Sequence, residues 1–184
     1  MILICGKTGT GKTEVQDQLV KMGYERIVTY TTRPKRKGEI NGIHYHFVSN
    51  AEFQFLENDG FFVNPVLYNT AYGVAKYGTA LSDLKNDNWN KILIVNPKEL
   101  KEIQKVDSIN LMVFLLKAEE DIVRDRLLKR GDSKSEIERR IEADKKDFDG
   151  IEDIVDSIVW NNGELKPQAI AEIITHTYEK YQVM

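Results

Sequence analysis

The sequence predicts an α/β fold in which parallel strands alternate with helices, and three observations carry that reading. The first is the opening: the apolar run Ile2–Cys5, a glycine-rich loop over residues 6–13, then a stretch from 14 to 22 with Val15 and Leu19 on one helical face. The second is the recurrence of short apolar runs at 91–95, 111–116 and 158–160, each separated by stretches of helical length. The third is the set of helix-start signals between them: Ser49 with Glu52, Asn96 with Pro97, Ser133 with Glu136, and Pro167. Strands alternating with helices imply a parallel sheet covered on both faces.

Composition narrows the class. A chain of 184 residues suits one domain with a full core, and 41% hydrophobic with 30% charged residues is ordinary for a globular protein. The net charge of −3 argues against a surface built for polyanions, so any phosphate site must be local. One cysteine, Cys5, allows no internal disulfide and fits a reducing compartment. A loop motif starting at residue 6 leaves no room for a signal peptide, and no apolar run approaches the ~20 residues of a membrane span. Together these point to a cytoplasmic location.

The loop carries the chemistry. Gly6, Lys7, Thr8, Gly9, Thr10, Gly11, Lys12 and Thr13 fit G-x-x-x-x-G-K-[ST], between a strand and a helix. Glycines let the backbone curl so that its N–H groups face an anion, and the helix N-terminus adds partial positive charge. Lys12 is placed to reach the β/γ-phosphates of ATP, and the Thr13 hydroxyl to hold Mg²⁺.

In chain order, Gly23 closes the first helix and residues 26–30 read as a second strand. Four cations, Arg33, Lys35, Arg36 and Lys37, then crowd a loop stiffened by Pro34. By charge alone this is a solvated basic loop, or a nucleic-acid contact in a chain with no other basic stripe. Residues 42–48 alternate like a half-buried strand, with His44 and His46 on one face but no third metal ligand in reach. A capping box at Ser49 opens a helix with Phe53 and Leu56 inward, ended by Gly60. Residues 61–68 and 74–77 read as short strands around a loop at 69–73, 79–85 as helix, and Asp87 with Asn88 as a turn. A helix over 118–130 carries acids first and bases last, matching its dipole, and Gly131 stops it. The next helix, after Ser133, bears Arg139 and Arg140 and is anchored by Ile137, Ile141 and Phe148. So charged and thinly apolar a hairpin suits a solvated face, or a lid that opens and closes.

These residues together resemble the guanylate kinase family. Besides the loop, the continuous stretch from Tyr30-Thr31-Thr32-Arg33-Pro34 through Tyr45-His46-Phe47-Val48-Ser49 resembles its GMP-binding signature nearly throughout. Leu127, Leu128, Lys129, Arg130 and Gly131, with Arg139, Arg140 and Ile141, resemble its lid. The resemblance implies a P-loop NTPase fold, three-layer α/β/α, with an inserted acceptor-binding subdomain at 31–79. It implies a lid at 118–150 and a core of 1–30, 80–117 and 151–184. It implies transfer of the γ-phosphoryl of ATP to GMP, with nucleotides as the partners and neither nucleic acid nor membrane. Arg33 and Arg36 match the arginines that hold the acceptor phosphate, where guanidinium forks bind bidentately. Tyr45 and Tyr77 match phosphate-binding tyrosines, with Tyr72 a rival for the second. Arg130 and Arg140 match the lid arginines that close over the transferred group. With Lys12 and Arg33 they form the implied catalytic set. Thr29 and Thr79 match hydroxyls near the base.

Two positions depart from the family pattern. Asn64 stands where the family has a glutamate that accepts hydrogen bonds from guanine, and Asn96 where it has an aspartate. A carboxylate accepts from guanine N1–H and N2 together; an amide offers one acceptor and a competing donor. The expectation is therefore GMP as the best acceptor with weakened discrimination against IMP and AMP. The alternatives are a kinase for another monophosphate and a non-catalytic guanylate-kinase-like interaction module. The intact loop argues against the module, which needs neither Lys12 nor Thr13.

Overall fold

The computed structural model describes residues 1–70, 72–85, 89–107 and 109–183, and the chain divides into two compact units. The first comprises Met1–Arg26, Trp89–Pro97 and Leu111–Met184; the second comprises Ile27–Asn88 and Lys98–Asn110. The expected turn at Asp87 and Asn88 lies outside the described residues.

The first unit is built on a wholly parallel five-stranded sheet. Its strands are β1 (Ile2–Cys5), β2 (Glu25–Arg26), β7 (Lys91–Ile94), β8 (Met112–Lys117) and β9 (Ser157–Trp160), in the order β2-β7-β1-β8-β9. β1 is central and pairs on both sides, Ile4 opposite Ile94 and Phe114, which is why it is apolar at every position. Ile2, Ile4, Phe114 and Leu116 point to the face where α1 (Lys12–Lys21) and α7 (Pro167–Gln182) lie, packing with Val15, Leu19, Ile170 and Ile174. Leu3, Cys5, Val113 and Leu115 alternate to the other face and are equally buried. α5 (Glu120–Arg130) and α6 (Lys134–Asp147) form a hairpin with a small core of Val123, Leu127, Ile137 and Ile141.

The second unit carries a four-stranded sheet of order β4-β3-β6-β5, from β3 (Tyr30–Thr31), β4 (His46–Phe47), β5 (Phe62–Thr70) and β6 (Gly73–Ala80). α2 (Asn50–Asn58) opens with the expected capping box, Ser49 accepting from the Glu52 N–H while Glu52 accepts from the Ser49 N–H. α3 (Leu81–Lys85) and α4 (Pro97–Ile103), from Lys98 onward, complete it.

Four local expectations change, the first at 69–73, where the strands run on into the expected loop with Asn69 opposite Val74 and Thr70 opposite Gly73. Residues 26–30 are not one strand: β2 joins the parallel sheet beside Lys91 and Ile92, whereas β3 pairs with β6 in the other unit. Of residues 42–48 only 46–47 are strand, because the Gly42 and His44 N–H groups turn back onto the carbonyls of Tyr45 and Ile40. Thr79 and Ala80 extend β6 rather than open a helix, Thr79 pairing with Val63. Among the described residues no helix is long and apolar enough to cross a membrane, and no cluster of three His, Cys, Asp or Glu groups could hold a metal. His44 instead accepts from the Ile40 N–H through Nδ1, and His46 stacks on Tyr30.

Candidate functional site

The glycine loop wraps its own lysine. Lys12 Nζ donates to the carbonyls of Gly6 at 2.7 Å and Lys7 at 2.8 Å, and Thr10 Oγ1 donates to the Lys7 carbonyl at 2.9 Å. A side chain at Gly6 is impossible, because a Cβ would come within 2.4 Å of the Leu116 carbonyl oxygen. Gly11 is left-handed (φ +91°), and a Cβ there would strike Asn161 Nδ2 at 2.4 Å. Gly11 is also the N-cap of α1 and supplies no side-chain cap, so the first-turn N–H groups keep their character as anion donors. Burial lowers the Lys12 pKa, opposed by the nearby charges of Asp144 and Glu14. Thr13 lies exposed in the first turn of α1.

The loop is held from two sides. Buried Asn161, just past β9, donates through Nδ2 to the Thr10 carbonyl at 2.8 Å and accepts from Arg126 at 3.2 Å. From α6, one turn apart, Arg140 reaches Thr8 Oγ1 at 3.4 Å and Asp144 accepts from the Thr8 N–H at 2.7 Å. Arg140 is braced by Glu136 at 2.6 Å. The Glu136 carboxyl is lowered to about 2, chiefly by its bond from Arg139 and then by that from Arg140. Burial raises the Asp144 pKa against the opposing pull of the Thr8 N–H, Lys12 and Lys7. Arg130, at the end of α5, pairs with Asp132.

In the second unit, the basic loop is organised around a buried ion pair. Arg33, 3% exposed, is gripped by Glu39 through two bonds of 2.8 Å and donates to the Pro34 carbonyl at 2.7 Å. These bonds use three of the five guanidinium N–H donors. Glu39 also accepts from the Arg36 N–H at 2.7 Å, which sets the turn that carries the second arginine. The Arg33 guanidinium lies over the rings of Tyr45 (5.2 Å) and Phe47 (5.4 Å), and Tyr45 meets Tyr77 edge-on at 5.9 Å. The Tyr45 pKa is raised, mainly by burial and then by Tyr77 and Glu99, so its hydroxyl stays a donor across the working pH range. Tyr72 stands exposed beside the β5–β6 turn, well along the hairpin from Tyr77.

The remaining expected residues sit nearby in that unit, with one exception. Thr29 and Thr79 are buried with their hydroxyls 3.5 Å apart. Asn64 occupies a bulge of β5, where Asn64 and Pro65 together oppose Gly78. Asn96 belongs to the first unit, half-buried between β7 and α4. Glu39, Asn161, Asp144 and Glu102, which accepts from Asn64 Nδ2 at 2.9 Å, are supporting groups with no role assigned from sequence. Only Glu39, six residues from Arg33, left a local trace as a lone acid in a basic loop; the others act across long separations.

Residues 1–176 match the guanylate kinase family model. The guanylate kinase of Neisseria gonorrhoeae is 32% identical over 145 residues, covering 77% of this chain and 70% of that protein. That of Sulfurimonas denitrificans is 30% identical over 171 residues, covering 88% and 80% respectively. The crystal structure of guanylate kinase from Anaplasma phagocytophilum superposes with a TM-score of 0.75 at 17% identity, covering 100% of this chain and 86% of that one, which speaks to the fold alone.

Proposed function

The chain belongs to the guanylate kinase family, and on that footing we propose that it transfers the γ-phosphoryl group of ATP to GMP. The observation that carries the acceptor side is the buried Arg33–Glu39 pair set against Tyr45 and Tyr77. It presents fixed cationic and hydroxyl donors, which suit a phosphate monoester. The division of labour is a core, an acceptor-binding subdomain at 31–79 and a lid at 118–150.

On the donor side, residues 6–13 bind the ATP phosphates and Lys12 neutralises their charge. A single hydroxyl, Thr13, fits Mg²⁺, a hard cation that takes few protein ligands and completes its shell with phosphate oxygens and water. Bound there, the ion would supply charge neutralisation to the phosphate oxygens. Arg33, Arg36, Tyr45 and Tyr77 hold the acceptor phosphate, with Glu39 keeping Arg33 preoriented. Arg130 and Arg140 meet the charge on the moving group from the lid. Thr29, Thr79, Asn64 and Asn96 are the residues assigned to the base. No residue need act as a base, since the attacking monophosphate oxygen is already anionic. Catalysis comes from holding two phosphates in line and offsetting charge in the transition state. Single, buried Cys5 accords with a cytoplasmic setting.

The test is ATP consumption with GMP, dGMP, IMP, AMP, CMP and UMP offered in turn. Turnover with GMP above all others is expected; no turnover with any monophosphate would favour the interaction-module reading.

A further inference from the structure

Asn64 does not act alone. It is the one non-glycine residue with positive φ (+23°) among those described, and it sits in the β5 bulge. Asparagine tolerates that region better than most residues. Gly78 opposite admits no side chain, since a Cβ would lie 2.8 Å from the Phe62 ring. From this bulge Asn64 Nδ2 donates to Glu102 Oε2 on α4 at 2.9 Å, while Glu102 Oε1 accepts from Lys105 at 2.6 Å. The Glu102 pKa is lowered by Lys105 first and by Asn64 as well, so the group is an ionised carboxylate that can only accept. An amide beside a carboxylate must turn its nitrogen toward it, because the opposite flip sets oxygen against oxygen.

We infer that Glu102 selects the base by fixing the Asn64 amide with its donor end committed and its carbonyl left for the substrate. This rests on the proposed function, with Asn64 at the base. Guanine and hypoxanthine present N1–H, which Asn64 Oδ1 accepts. Adenine presents an unprotonated N1, which needs a donor where Oδ1 stands; Nδ2 keeps a second N–H, but bringing it there flips the amide and sets Oδ1 against the Glu102 carboxylate. The amide alone would serve either edge after a flip, and Glu102 removes that freedom. The carbonyl cannot also hold the N2 amino group, so GMP and IMP are separated weakly but AMP strongly, which confines to IMP the weakened discrimination that Asn64 alone leads one to expect. Glu102 is a positioning residue, acting through Asn64.

The experiment is equilibrium binding of GMP, IMP and AMP, with kcat/KM for each, on the wild type, Glu102→Ala, Glu102→Gln, Asn64→Leu and the Asn64→Leu/Glu102→Ala double variant. The wild type should bind GMP and IMP within about tenfold of each other and AMP about a hundredfold more weakly. Glu102→Ala should narrow the GMP-to-AMP ratio about tenfold, with Glu102→Gln intermediate and the KM for ATP unchanged. In the Asn64→Leu background, Glu102→Ala should have no further effect on the ratio. A wild-type ratio that Glu102→Ala leaves within about twofold, or an equal shift with and without Asn64, overturns the inference while leaving the kinase reading intact. A wild type that binds none of the three overturns both.

Discussion

The Thr8 N–H donates to Asp144 Oδ2 at 2.7 Å, so a carboxylate from α6 occupies a backbone donor of the phosphate loop. Lys12 and Lys7 lie near enough to favour its charge, yet burial wins and its pKa is raised. A nucleotide brings further negative charge to this spot. Asp144→Asn should therefore tighten ATP binding about fivefold, the scale of one like-charge interaction near water, as read by equilibrium titration with a fluorescent ATP analogue. The sign for stability follows from the raised pKa. Ionised Asp144 costs the folded state, so its contribution is most favourable below the unfolded pKa and falls as pH rises through the folded one. The variant should melt higher than wild type at neutral pH and lose that margin in acid. Weaker ATP binding in the variant would instead make Asp144 a group that shapes the loop for nucleotide.

Lys12→Ala should lower kcat on the order of a thousandfold and leave the far-ultraviolet spectrum unchanged. Among the described residues its ammonium bonds to the loop carbonyls of Gly6 and Lys7 and to no core side chain. Wild-type turnover by this variant would contradict the kinase reading.

The two arginine groups should separate in steady-state kinetics. Arg36→Ala removes an acceptor contact made in both ground and transition states, so the KM for GMP should rise most. Arg140→Ala removes one that matters at transfer, so kcat should fall with little change in KM. The reverse pattern would exchange their roles.

Glu39→Ala should destabilise the protein by about 3 kcal/mol, because it strands a buried guanidinium. The Arg33 side chain is 2% exposed, so water cannot replace the lost partner. Urea denaturation measures this; a loss under about 1 kcal/mol, the scale of a surface pair, would show that the pair relaxes to solvent.

The Glu136 carboxyl is lowered to about 2, first by Arg139. Its stabilisation is complete above the ordinary glutamate pKa and is lost as pH falls toward 2. Protection factors of the α6 amides should fall over that window in the wild type, and Glu136→Gln should show the lower protection already at neutral pH. Equal rates in the two proteins would remove Glu136 from the bracing of Arg140.

The sequence by itself determined what short-range chemistry dictates. The strand, loop and helix of residues 2–21, the capping box at Ser49, the N-cap at Ser133, and the stop at Gly131 each depend on residues within a few positions of one another. The family signature put Arg33, Tyr45, Tyr77 and Thr79 in an acceptor region at 31–79 and left Thr29 in the core, whereas the structure holds all five in the second unit. Only the tertiary structure decided which sheet each strand joins. Apolar periodicity across 26–30 marks extended chain but says nothing of partners, and Arg26 pairs beside Ile92 whereas Tyr30 pairs opposite Gly78. It also decided the supporting hydrogen bonds: Asp144 on Thr8 across 136 positions, Asn161 on Thr10 across 151, and Glu102 on Asn64 across 38. The first two form where packing has withdrawn a polar group from water, the third lies at the surface, and all three need the fold to set a partner within about 3 Å. That condition belongs to the folded surfaces meeting, and no local pattern of residues encodes it.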